Sequence, residues 1–146
     1  MKKAVIILLV LALAAAMLAF AGCGGGGSSD TPEQVVEQFL SASMEENADA
    51  AYELISEDSK SELEDKESLV AGFSEGVDGY EVGTATISGD EARVPVSFNL
   101  AGLEAAVEFD MVLVKEDGAW KIAVADTNLE AEKALEELMQ QLQPTQ

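Results

Sequence analysis

Glu91-Ala92-Arg93-Val94-Pro95-Val96-Ser97-Phe98-Asn99-Leu100 is the stretch that decides the fold. Ala92, Val94, Val96, Phe98 and Leu100 fall on one side, and Glu91, Arg93, Pro95, Ser97 and Asn99 on the other. A period of two with one apolar side predicts an antiparallel strand whose inner face is covered and whose outer face meets water. Pro95 has no N–H to give to a neighbour, so a free edge or a bulge is expected beside it.

Glu104 to Lys115 repeats the pattern, with Ala105, Val107, Phe109, Met111 and Leu113 inward and Glu108 and Asp110 outward. The turn Glu116-Asp117-Gly118 leads into Ala119 to Ala125, where Trp120, Ile122 and Val124 point in and Lys121 points out. Upstream, Tyr80 to Ile87 is a first strand, joined to the second through Ser88-Gly89-Asp90 as a hairpin. The second half of the chain is therefore an antiparallel meander of about four strands.

The first half is helical. In Thr31-Pro32-Glu33-Gln34, Thr31 suits an N-cap, Pro32 the first helical position and Gln34 the far end of a capping box. Val35, Val36, Phe39, Leu40 and Met44 follow at helical spacing, to an end near Glu46-Asn47. A short helix is expected from Ala48 to Ile55, with Ala51, Tyr52 and Ile55 inward. A polar helical turn follows to Glu64, and a third helix from Lys66 to Phe73 buries Leu69, Val70 and Phe73. Thr127 or Asn128 can cap a last helix, Leu129 to Leu142, with Leu135, Leu138, Met139 and Leu142 on one stripe. The fold class is α+β, with N-terminal helices covering one face of the sheet.

Composition narrows the function. The chain has 28 acidic and 8 basic residues, a formal net charge of −20, and no histidine. Nucleic acid as a partner is excluded by that charge. The missing histidine removes the commonest general base and a common metal ligand. Glu57, Asp58, Glu62, Glu64, Asp65 and Glu67 form an acidic run without the spacing of a calcium loop, and it reads as a solvated helical face. No metal and no cofactor are expected.

The N-terminus carries an address. Lys2 and Lys3 precede an apolar run from Ala4 to Ala21, which ends Phe20-Ala21-Gly22-Cys23. The order charged, apolar, small, cysteine is the layout of a secretory signal. The last four residues resemble a bacterial lipobox, with phenylalanine where leucine is usual. The resemblance implies cleavage before Cys23, the only cysteine, and attachment of diacylglycerol to its thiol. Residues 1–22 are then a signal peptide, and residues 23–30 a Gly/Ser tether carrying the lipidated cysteine. Removal of Lys2 and Lys3 leaves 28 acidic against 6 basic residues, a net of −22. The expected location is extracytoplasmic, lipid-anchored to the bacterial cell membrane. The domain is expected over residues 31–127, and the helix and tail over residues 128–146. With no second cysteine, burial alone must hold it.

Three landmarks in order, Thr31 to Leu40, Ala50 to Ile55 and Asp117-Gly118-Ala119-Trp120-Lys121-Ile122, resemble the nuclear transport factor 2-like (cystatin-like) superfamily. They are most similar to its small bacterial lipoproteins of unknown function. The resemblance implies a cone: a curved sheet wrapped around the first helix, with a pocket at the open end. Superfamily enzymes commonly pair a histidine with an aspartate there, and this chain has no histidine to offer.

Tyr52, Tyr80 and Trp120 are the candidate pocket residues, two for hydrogen bonding and one for stacking. Asp110 is the most central acid of the strands, but alternation puts it outside. No catalytic residue is expected. The leading reading is a non-enzymatic domain that binds a small ligand or an envelope protein. The alternatives are a small pocket enzyme of dehydratase or isomerase type working through carboxylate or tyrosine groups, and an interaction module forming a homodimer through the last helix.

Overall fold

The structure, a computed structural model, describes residues 30–71, 73–102, 104 and 106–142. Helix α1, Pro32–Met44, opens with the expected box. The Thr31 hydroxyl accepts the Gln34 N–H, and the Gln34 side chain accepts the Thr31 N–H. Its buried stripe includes Val35, Val36, Phe39 and Leu40. Two short helices follow, α2 (Ala48–Glu53) and α3 (Glu57–Glu62), capped by the side chains of Asn47 and Ser56. The third helix expected from Lys66 to Phe73 is instead a single 3₁₀ turn, Glu67–Leu69, and a separate short helix α4, Phe73–Gly76. A hydrophobic pair at Leu69 and Val70 is too short a pattern to hold one helix together.

The strands are β1 (Val77–Val82), β2 (Thr86–Ser88), β3 (Glu91–Leu100), β4 (Ala106–Glu116) and β5 (Ala119–Ile122). All pairings are antiparallel. The order is β1-β3-β4-β5, with β2 on the same edge of β3 as β1. The sheet is thus the expected curled meander of four strand positions beside helices. The inner residues Ala92, Val94, Val96, Phe98, Met111, Leu113, Trp120 and Ile122 join α1, Ala51, Ile55 and Val70 in one core. Among the described residues, that core and its half-buried surround lie between Val35 and Val124, within residues 24–146. No described helix is long and apolar enough to cross a membrane.

The expected first strand, Tyr80 to Ile87, is in fact two. Residues 83–85 interrupt it opposite Val94 and Pro95, and the Gly83 N–H reaches the Pro95 carbonyl at 2.8 Å. The missing N–H of Pro95 therefore faces the kink, as its position on the strand demands. The kink leaves the Ala85 N–H without a ladder partner. Glu33, from the first turn of α1, accepts it at 2.8 Å. That bond holds the Glu33 carboxyl below its ordinary value of 4.5. The hairpin turns follow their sequence. Gly89 alone has positive φ in its two-residue turn, whereas Asp117 and Gly118 both do.

The largest departure is at the end of the sheet. β5 stops at Ile122, and the last helix, α5, runs Val124–Leu142. The helix starts more than a turn before the expected Leu129, and the expected domain boundary after residue 127 falls inside it. Ala105, expected to point inward, lies outside the described residues, as do residues 1–29 with Phe20, Ala21, Gly22 and Cys23.

Two predictions test the kink. A Cβ on Gly83 would lie 2.7 Å from Pro95 Cγ, while one on Gly79 meets nothing nearer than 3.9 Å. Gly83→Ala should therefore cost about 1–3 kcal/mol in urea unfolding of residues 24–146, and Gly79→Ala should stay within about 0.5 kcal/mol. Equal midpoints would refute the close approach.

Because the folded pKa of Glu33 is lowered, its contribution is present above the unfolded value and is lost as pH falls through the folded one. The stability gap between the wild type and Glu33→Gln should close as pH drops through the glutamate range. A pH-independent gap would show that the charge on Glu33 plays no part.

Candidate functional site

A cavity of about 340 Å3 opens between the helices and the inner face of the sheet. This is near the small end of the range for ligand pockets, about 300–1,000 Å3. Phe39 and Leu40 of α1 form its floor. Leu63, Leu69 and Phe73, from the irregular stretch after α3, form one side. Phe98, Phe109 and Met111 of the sheet form the other, and Val124, Thr127, Asn128 and Ala131 of α5 close it. Phe98 stacks on Phe109 at 5.1 Å between ring centroids and meets Phe73 edge-on at 5.8 Å. Such pairs hold the rings in fixed orientation, so the wall is preformed.

The lining polar side chains are Ser68, Thr127 and Asn128. The Ser68 hydroxyl donates to the Asp65 carbonyl at 2.7 Å and keeps its acceptor lone pairs. Thr127 is committed to the fold: its hydroxyl accepts the Val112 N–H at 3.0 Å and returns its proton to the Val112 carbonyl. Asn128 is exposed at the rim and offers both a donor and an acceptor. No lining side chain ionises at neutral pH. The lining provides no general acid or base, and the described residues contain no group of three acids or thiols able to hold a metal.

α5 reaches this position through groups distant in sequence. The Ser59 hydroxyl accepts the Val124 N–H at 2.9 Å and so caps the helix from outside. The Ala123 N–H extends the ladder by one bond to the Val112 carbonyl, and Thr127 fills the next place on the β4 edge. Outside the sheet, Arg93 reaches Glu130 at 3.5 Å.

None of the three residues expected in the pocket lines this cavity. Trp120 is buried at the β4–β5 hairpin, with Lys115 5.3 Å from its ring. Tyr52 is half-buried on α2, its ring 5.3 Å from the Lys60 ammonium. Tyr80 sits on the edge strand beside Phe98. Asp110 is on the outer face, half-buried. The sequence signal for the true wall was the set of phenylalanines at 39, 73, 98 and 109, four of the five in the chain, all at inward positions.

No family model matches the chain, and no curated protein matches it. Solved structures do. A Campylobacter jejuni protein assigned as an NTF2-like transpeptidase aligns with 64% of this chain and 97% of its own, at 20% identity and TM-score 0.50. A SEC-C motif containing protein from Rhodopseudomonas palustris aligns with 63% and 74%, at 16% identity and TM-score 0.52. A Mycobacterium tuberculosis LEH-like epoxide hydrolase covers 82% of this chain and 100% of its own, at 17% identity and a TM-score of only 0.39. The first two likenesses show a shared fold, of the nuclear transport factor 2-like kind by the first of them, and nothing finer.

Thr127→Val keeps shape but leaves the buried Val112 N–H unpaired, which should cost about 1–3 kcal/mol. Thermal unfolding of residues 24–146 should show a Tm lower by several degrees. An unchanged Tm would mean that α5 is not fastened to β4 at this point.

Proposed function

We propose that this chain is an extracytoplasmic lipoprotein, anchored through Cys23, whose domain binds a small apolar ligand without transforming it. The observation that carries the binding role is the cavity itself: aromatic and aliphatic walls, three neutral polar groups and no ionisable one. Apolar walls with a few placed polar groups are the usual make-up of a ligand site. Acyl transfer, dehydration and isomerisation each need a nucleophile or a proton-transfer group at the reacting atom. The assigned activity of the Campylobacter jejuni neighbour therefore gains no support from this lining. The anchoring role rests on the charged, apolar, small and cysteine order of residues 1–23.

Native mass spectrometry of residues 24–146 recovered from an exporting cell tests the binding role. A small-molecule adduct should accompany the protein and should vanish in Ala131→Trp, which fills the cavity from α5. An adduct that survives the substitution would place binding elsewhere. Mass analysis of the full chain from the same cells should show loss of residues 1–22 and gain of diacylglycerol, both abolished by Cys23→Ser. An intact N-terminus would overturn the anchoring role.

A further inference from the structure

A second, wholly apolar recess of about 210 Å3 lies against the cavity and shares Phe73, Phe98, Phe109 and Ala131 with it. Its other walls are Val77, Leu100, Val107 and Leu135. The two spaces thus meet along one aromatic wall, under the same turn of α5. All the polar lining sits in the first, none in the second. Leu135 is 47% exposed, so the recess opens to solvent there.

Charge limits what can enter. Glu64, Asp65 and Glu67 flank Leu63, Ser68 and Leu69. Asp126, Glu130 and Glu132 flank Thr127, Asn128 and Ala131. The basic residues nearest in sequence are already engaged, Lys66 by Asp49 and Lys133 by Glu130. The other four basic side chains among the described residues are engaged too: Lys60 by Glu57, Arg93 by Glu91 and Glu130, Lys121 by the Glu53 carbonyl, and Lys115 over Trp120. An anionic head group would meet a field of like sign and, among the described residues, no free cation.

Resting on the ligand-binding reading, we infer that the cavity and the recess form one continuous site for an elongated, uncharged apolar molecule with a single hydrogen-bonding end group, of the chemical class of a long-chain alcohol. The end group lies at Ser68 and Asn128, and the chain runs past Phe98, Phe109 and Ala131 to Leu135. Anionic amphiphiles such as fatty carboxylates are rejected.

Residues 24–146 are titrated with two fluorescent probes of one skeleton, N-phenyl-1-naphthylamine, which is neutral, and 1-anilinonaphthalene-8-sulfonate, which is anionic. The neutral probe should bind, and the sulfonate should bind at least about tenfold more weakly at low salt. The gap should narrow as salt screens the acids. Linear alcohols from hexanol to tetradecanol then displace the neutral probe. Affinity should rise about fourfold per methylene through the longer members. Ala131→Phe, at the shared wall, should flatten that rise while hexanol still competes. Leu135→Glu, at an exposed position where folding is not at risk, should weaken only the long alcohols.

Equal binding of the two probes would overturn the charge selection. A rise that ends with the short alcohols, or is unaltered in Leu135→Glu, would overturn the continuity. Both results leave the cavity as a binding site. Failure of the neutral probe to bind at all would sink the binding role itself.

Discussion

β5 is four residues long, and the rest of the site follows from that. Its partner β4 has eleven residues, so β5 covers only the part from Leu113 to Glu116. The remainder of the β4 edge must find other partners or stay open to water, and an open edge beside an apolar cavity would be costly. The protein meets this need with a helix. Ala123 adds one last ladder bond, and the Thr127 hydroxyl takes the place of the next backbone group. α5 therefore runs where a longer strand would have continued, and its inner side becomes the cavity's closing wall.

The other edge of β5 is finished in a similar way. Ile122 pairs in parallel with Ile55, exchanging backbone hydrogen bonds of 2.9 Å with Leu54 and Ser56, and the Lys121 ammonium donates to the Glu53 carbonyl. The α2–α3 connection thus behaves as a one-residue strand. Ser59, one turn further on, caps α5. The α2–α3 connection and the first turn of α3 so secure both the terminal strand and the helix that replaces it. With no disulfide available to that segment, these hydrogen bonds and the burial of Ile55 and Ile122 carry the closure.

What could be read from the sequence, and what could not, divides along the same line. Periodicity located β3 to the residue, and its inward set is the buried one, because that strand's alternation decides both faces; on β4 the alternation breaks at Val112, an outward position that is buried where Thr127 of α5 meets it. The Thr31 box is local and was legible for that reason. Ala119 to Ala125 also alternates, so it read as one strand. The cap that turns its end into a helix is Ser59, more than sixty residues away. Nothing within the segment announces it. Thr127 looked like an N-cap by residue type, yet its hydroxyl is spent on the sheet edge. Tyr52, Tyr80 and Trp120 drew attention as aromatics with polar atoms. The wall was built instead from phenylalanines, which a pattern alone cannot separate from ordinary core.

The phenylalanines also explain why a core rich in apolar residues leaves a cavity at all. A buried core normally interdigitates to crystal-like density. Here Phe98 stands between two partners, stacked on Phe109 and edge-on to Phe73, so its ring cannot turn to fill space without breaking one pair. α5 cannot move closer, because the Thr127 bonds and the Ala123 ladder bond fix its distance from β4. At the helix position facing the rings stands Ala131, whose single methyl reaches little of the gap. A larger aliphatic residue at 131 would narrow the space where the cavity and the recess meet. An alanine there, between rigid rings and a fastened helix, keeps the interior open, and the functional reading depends on that residue more than on any charged one.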